Sequence, residues 1–298
     1  MLVESVQPAA RPLGPLADRS SGSAGWKPSA SAGRHGGEQT TPAHAPMAQD
    51  SDIASRHHAA AGILFAVNVE ADAFDRLARD HVEMEAGPLR FHEGVVAGRR
   101  VAWCVTGPGR EAAARAARLL IDGHRPRLLI SAGFAGGLVP SIPRGSVVRP
   151  LRVITAAGRS PLPLAFGTAA DLTLVTGDRI VTTAAAKRSL AAETAAQLVD
   201  METHAVATVA AAAGLPCAAI RVVSDDAAQD LPAEVVRLIE PQPALRRLGA
   251  ALGALGRRPG AALDLWKLYE HAVVDGRTLA AELERFCGTL PMEPVEQG

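Results

Sequence analysis

From residue 62 onward, short runs of apolar residues alternate with longer alanine-rich stretches whose apolar positions recur at helical spacing. Residues 63–67, 91–96, 101–105, 128–131, 172–176 and 217–223 read as strands. Residues 71–79, 111–123, 184–196 and 202–213 read as helices. The strands show little polar alternation, which predicts burial on both faces. Strand and helix in alternation predict an α/β protein: a three-layer sandwich with a central mixed sheet flanked by helices. Beyond Asp230 the pattern is helical only, over 232–239, 244–255 and 261–286, with a Pro241-Gln242-Pro243 break. Three segments are therefore expected: a disordered, low-complexity stretch over 1–58, an α/β domain over 59–240, and a helical extension of that domain over 241–298.

Composition narrows the class of partner. The chain has 298 residues, 48% of them hydrophobic and 21% charged, with Lys+Arg and Asp+Glu equal at 31 each. No net field draws in nucleic acid or an anionic membrane surface, so a small-molecule partner is expected. No apolar run reaches the roughly 18 residues of a membrane span. The first 16 residues are interrupted by Glu4, Gln7, Pro8, Arg11 and Pro12, so no export signal is expected there. Cys104, Cys217 and Cys287 form no CxxC pair, which fits a reducing cytoplasm without disulfides or a zinc site.

The chemistry-bearing residues gather at predicted strand ends, where loops converge and helix N-termini present free N–H groups. Glu70 follows the first strand and reads either as a first-turn partner of the helix dipole or as a general base. Thr106-Gly107-Pro108-Gly109-Arg110 is a strand-to-helix turn able to receive an anion or hydroxyl, with Arg110 a candidate phosphate ligand or a solvated surface arginine. Ser131-Ala132-Gly133-Phe134-Ala135-Gly136-Gly137-Leu138 reads as a strand followed by a glycine turn that lets backbone approach a ligand. Glu202, in Val199-Asp200-Met201-Glu202, starts a helix, and Ser224-Asp225 stands at the tip of a buried strand. His204 reads as a packed core histidine. No His/Asp/Glu spacing suggests a metal site, and none is expected.

These motifs resemble the purine nucleoside phosphorylase and nucleosidase superfamily over about residues 62–230. The resemblance implies cleavage of the N-glycosidic bond of a purine nucleoside. It implies that Glu202 accepts hydrogen bonds from the ribose hydroxyls while Met201 packs on the sugar. Asp225, oriented by Ser224, would protonate the base, which requires its carboxyl to be protonated through burial or contact with the base. Ala132, Gly133 and Phe134 would form a base-binding wall, with Ile180 and Val181 of Thr176-Gly177-Asp178-Arg179-Ile180-Val181 packing against the base where nucleosidases carry an aromatic. Glu70 with Thr106, Gly107 and Gly109 would position the nucleophile: water in a hydrolase such as the methylthioadenosine/S-adenosylhomocysteine nucleosidases, phosphate if Arg110 binds it. The hopanoid-associated phosphorylases, similar in Asp200-Met201-Glu202, in the segment from Arg221 to Asp225 and in the tail after Leu255, are the alternative within this chemistry. A non-catalytic nucleoside-binding module is the alternative from another class. No cofactor is implied beyond phosphate as co-substrate, and relatives imply a homo-oligomer.

Overall fold

The computed structural model describes residues 59–157, 160–167, 171–231 and 261–291, with side chains from 270 onward in the last stretch. The expected disordered stretch over 1–58 and the helices over 232–239 and 244–255 lie outside the described residues.

The apolar runs form the centre of a mixed sheet, in the order β2-β3-β4-β1-β5-β10-β9-β7-β8, with β11 joining β5 to β6. The strands are β1 (Ala61–Phe65), β2 (Arg79–Ala86), β3 (Leu89–Val96), β4 (Arg99–Val105), β5 (Leu129–Gly137), β6 (Val147–Val148), β7 (Arg152–Thr155), β8 (Leu162–Pro163), β9 (Thr173–Thr176), β10 (Leu198–Asp200) and β11 (Cys217–Asp225). The helices are α1 (Asn68–Asp75), α2 (Arg110–His124), α3 (Ala184–Thr194), α4 (Thr203–Ala212) and α5 (Ala261–Thr289). Residues of β1 alternate between two cores, as strand period dictates. Leu64 packs with α2 and α4 through Ala116, Leu120, Val206 and Ala210, whereas Ile63 and Phe65 pack with α1 and α5 through Phe74, Leu279, Leu283 and Phe286. The expected three layers are therefore present. The three cysteines are buried and unpaired, and burial pushes each thiol up to about 12.

β5 decides where the sheet opens. Its first half pairs in parallel with β1, from Leu129 to Ser131, and its end pairs antiparallel with β10 at Gly136 and Gly137. β11 follows its other edge throughout. Between Ala132 and Ala135 the first edge has changed partner, and the strand ends of β1 and β10 diverge around the gap. Here the sequence expectation of a glycine turn is corrected: Gly133, Gly136 and Gly137 lie within the central strand. A Cβ on Gly133 would stand 2.5 Å from Oε1 of Glu70, and one on Gly136 would stand 3.3 Å from Oδ2 of Asp225. Gly133 and Gly136 admit the close approach of carboxylates and do not reverse the chain.

Other boundaries move as well. The first helix begins at Asn68 rather than Ala71 and ends at Asp75, and the charged residues after it form β2, which sequence did not predict. β2 lies on the sheet edge and its residues 79–85 are exposed, so its ladder bonds to β3 satisfy the backbone without an apolar face to announce them. The short strands β7 and β8 were also missed. Among the described residues no helix is long and apolar enough to cross a membrane.

α5 returns across the α1 layer, and the two helices meet at Gly276. A Cβ there would stand 2.5 Å from the backbone oxygen of Val69. Gly276→Ala is therefore expected to destabilise the fold by about 1–3 kcal/mol through overpacking, outweighing the gain of roughly 1 kcal/mol in helix propensity. Chemical denaturation of parent and variant measures it, and a stabilised variant contradicts this packing.

Candidate active site

The gap beside β5 leads into a cleft of about 810 Å³. The β1–α1 junction contributes Val67, Asn68 and Glu70; the turn before α2 contributes Gly107; and β5 contributes Phe134 and Gly136. Asp200, Met201 and Glu202 enter from the end of β10, Ser224 and Asp225 from the end of β11, and Ile180 and Val181 from the loop after β9. One turn of α5 completes the wall with His271, Ala272 and Asp275.

Glu70 is held by backbone alone. Its Oε2 accepts the N–H groups of Ala66 at 2.8 Å and Val67 at 3.1 Å, and its Oε1 accepts the Phe134 N–H at 2.8 Å, the donor freed where β5 leaves β1. Burial raises its pKa; these N–H groups and the Arg221 charge oppose that rise without cancelling it. Glu202 sits at the N-cap of α4, where its Oε1 accepts the Gly109 N–H at 2.7 Å. Gly109 has φ of 100°, a conformation glycine adopts without strain. Burial first, then repulsion from Asp200, lift the Glu202 carboxyl to about 7, against the Gly109 bond and Arg221.

Beneath both glutamates lies a void of about 10 Å³, lined by Glu70, Glu202, Thr106, Ser131, Ala132, Phe134 and Arg221 among others. Its size and polar lining suit one water molecule. Arg221, buried on β11, forms its floor. Its Nη2 donates to Asp200 Oδ2 at 2.7 Å, Ser131 Oγ at 2.6 Å and Thr203 Oγ1 at 2.7 Å. Asp200 also accepts from Thr176 Oγ1 at 2.7 Å and from the Thr203 N–H at 3.1 Å. Neither Arg221 nor Asp200 has a role assigned to it from the sequence. The signal was present: a charge inside the apolar run Ala219-Ile220-Arg221-Val222-Val223 requires a buried partner.

At the other end of the cleft, Ser224 Oγ donates to Asp225 Oδ1 at 2.7 Å, and Lys187 Nζ lies 2.5 Å from Asp225 Oδ2. Lys187 is wholly buried, and its ammonium also donates to the backbone oxygens of Asp226 and Gln229. The resting contacts of Asp225 are thus with donors on both oxygens. Nothing in the alanine-rich α3 sequence marked Lys187. Arg144 was likewise unassigned: its Nη2 reaches Asp275 of α5 at 2.6 Å and its Nε donates to Ser224 O at 3.0 Å, joining the C-terminal helix to the strand tip.

The structure brings together on the cleft Glu70, Asp225, Glu202, Met201, Ser224, Ile180, Val181, Phe134 and Gly107. Thr106 and Ala132 line the small void instead. Gly133 lies under Glu70, and Gly109 acts through Glu202. Arg110 is not among the residues that line the cleft; it pairs with Asp178 at 3.2 Å, both side chains being well exposed. His204 is not a core residue: it is partly exposed and its Nε2 contacts Ser160 O at 3.0 Å.

This arrangement can perform acid–base chemistry across one cleft, with an elevated carboxyl at a water-sized void and an ammonium–carboxylate pair opposite. Known proteins share the frame. The chain is 32% identical over 87 residues to a 5′-methylthioadenosine/S-adenosylhomocysteine nucleosidase of Actinobacillus succinogenes, a match covering 29% of this chain and 38% of that protein. The match thus spans little over a third of that relative's length. The nucleosidase of the same name from Campylobacter jejuni superposes with a TM-score of 0.61 at 14% identity, over 78% of this chain and 100% of that one. The Streptococcus pneumoniae (S. pneumoniae) enzyme, solved with a transition-state inhibitor, superposes with a TM-score of 0.59 at 19% identity, over 78% and 99% of the two chains. At such identities these two establish the fold. The model of the phosphorylase superfamily matches residues 60–171 and 168–257, which includes both strand ends flanking the gap and the tip of β11, and the chain belongs to that superfamily.

Proposed function

We propose that the protein hydrolyses the N-glycosidic bond of a purine nucleoside. The observation that carries this reading is the water-sized void between Glu70 and Glu202. Two carboxylates facing one void repel a phosphate dianion and accept from water, so hydrolysis is favoured over phosphorolysis. The names of the relatives, nucleosidases of methylthioadenosine and S-adenosylhomocysteine, support an adenine nucleoside.

In this reading the base lies between Phe134 and the Ile180 and Val181 side chains, and Glu202 accepts from the ribose hydroxyls. A proton passes through Asp225 to the base nitrogen and is replaceable from the Lys187 ammonium at 2.5 Å. The glycosidic bond breaks with its electron pair leaving on the base, and positive charge develops on the sugar. Glu70 takes a proton from the water, whose oxygen bonds to the anomeric carbon. The products are free base and free sugar. The steps use no metal or organic cofactor. The reading includes a cytoplasmic protein that assembles with its own copies; adjacent exposed Leu151 and Phe166 offer apolar surface for this.

A second reading rests on the size and apolar lining of the cleft. Val67, Val69, Val105, Leu231 and Ala272 extend it beyond the carboxylates, in a volume of about 810 Å³, which suits a nucleoside carrying an apolar 5′ extension, as the hopanoid-associated relatives imply. A series of 5′-alkylthioadenosines decides it: kcat/KM rising with chain length favours this reading, and a fall beyond methyl removes it.

The principal test incubates the protein with methylthioadenosine, S-adenosylhomocysteine, adenosine and inosine, with and without phosphate, and follows free base by chromatography. Base release without phosphate is expected; strict dependence on phosphate overturns hydrolysis. Glu70→Gln is expected to lower kcat by about 10²–10⁴-fold. Asp225→Asn should lose turnover while retaining much of the ligand affinity. Because that variant strands the buried Lys187 ammonium, binding is measured well below its lowered melting temperature; binding without turnover in the parent would instead indicate a nucleoside sensor.

The pH dependence follows from Glu202. With its carboxyl at about 7 in the folded protein, kcat/KM should fall tenfold per unit as pH drops below that value. Stability runs the other way. The folded state keeps a proton that the unfolded chain releases near the ordinary value of 4.5, so stability decreases as pH rises from there to about 7. Melting temperatures across this window should decline less steeply in Glu202→Gln, and an unchanged slope would contradict the elevated carboxyl.

A further inference from the structure

The outer edge of the sheet carries a second group of chemistry-bearing side chains, where β2 buries none of residues 79–85 and pairs with β3. His81 and Glu83, two residues apart, project to one face. His92 stands opposite Glu83 in the ladder and so shares that face. A bulge between Arg79 and Val82, with Asp80 at φ of 54°, sets the register that makes this so. His81 Nε2 lies 2.8 Å from His92 Nδ1, and Glu83 Oε1 lies 3.8 Å from the same nitrogen. Both imidazoles stack against Trp103, with ring centroids 5.2 and 5.4 Å away, and the indole Nε1 donates to Asp75 Oδ1 at 2.6 Å. The rings are thus aimed by a buried support, as metal-binding imidazoles commonly are.

We propose that His81, Glu83 and His92 bind a divalent cation of the zinc class, which staples the edge strand β2 to β3. Two imidazoles and one carboxylate are a donor set suited to zinc, and nickel or cobalt can take the same ligands, with water in the remaining position. Ligand distances near 2.0–2.1 Å place tetrahedral donor atoms about 3.3 Å apart. The two separations here lie on either side of that value, so each changes by about half an ångström on an exposed hairpin. Arg90 pairs with Glu83 at 3.4 Å through Oε2, leaving Oε1 toward His92. That exposed pair contributes little and yields readily. Neither the hairpin nor its ligands line the cleft, so the site is independent of the proposed reaction.

The full chain, stripped with a chelator, is titrated with Zn²⁺ against a chromophoric competitor and with Ni²⁺ while tryptophan emission is followed. The same titrations are run on His81→Ala/Glu83→Gln. Both positions are exposed, and retention of the metal-free melting temperature confirms folding. The expected result is one more bound equivalent in the parent, with affinity falling in the variant by more than the roughly 10–100-fold that outer-shell changes cost. Zinc should raise the melting temperature, and nickel quench Trp103 emission, in the parent only. No zinc uptake by the parent overturns the site. Equal uptake by parent and variant also overturns it, since the other histidines then account for the binding.

Discussion

Arg221 and Asp200 are both buried, and neither could be so without the other. A guanidinium in the middle of a central strand costs several kcal/mol in lost hydration, and the structure offsets that with a carboxylate and two hydroxyls from three other elements, the carboxylate being held in turn by a fourth. Asp200 ends β10, Ser131 lies in β5, Thr203 begins α4, and Thr176 ends β9. The knot fixes the ends of these strands relative to one another directly below the cleft. Removing one member would strand a charge, at a cost of about 3–5 kcal/mol. Glu202 inherits its place from this knot, because Asp200 receives the Thr203 N–H that starts α4 and so sets where the preceding residue stands.

The same knot tunes the site electrically. Asp200 raises the Glu202 carboxyl by repulsion while Arg221 lowers it, and Arg221 also acts on Glu70. Burial nevertheless wins at both glutamates, leaving carboxyls that bind protons more tightly than exposed ones. The Glu202 carboxyl, at about 7, is thereby poised near neutral pH. At the far end Asp225 has an ammonium at 2.5 Å and a serine hydroxyl at 2.7 Å. The cleft therefore has two chemically unlike ends, each made by what surrounds a carboxylate rather than by the carboxylate itself.

β5 supplies the geometry that permits this. Its change of partner from β1 to β10 frees the Phe134 N–H for Glu70, and its glycines leave room for Glu70 on one side and Asp225 on another. α5 then closes the wall from a distance of some 40 residues in sequence beyond the last strand. Its contribution depends on Gly276 passing the Val69 carbonyl and on Arg144 reaching Asp275.

What the sequence alone determined is the set of features that local chemistry writes into a short segment. Apolar runs located the central strands, helical spacing located α2, α3 and α4, and glutamate or aspartate at strand ends located Glu70, Glu202 and Asp225. The edge strand β2 carried no such mark, because pairing satisfies its backbone without burying a side chain. The glycines of β5 were visible but misread, since a glycine that admits a carboxylate from another segment looks the same as one that turns the chain. Lys187 and Arg144 were invisible for a related reason: their partners stand 38 and 131 residues away, in Lys187–Asp225 and Arg144–Asp275. The exposed position of Arg110 was decided likewise, by its pairing with Asp178. Tertiary structure alone settled which charges meet, because the energy of a buried ion pair depends on distance and dielectric, and neither is a property of sequence spacing.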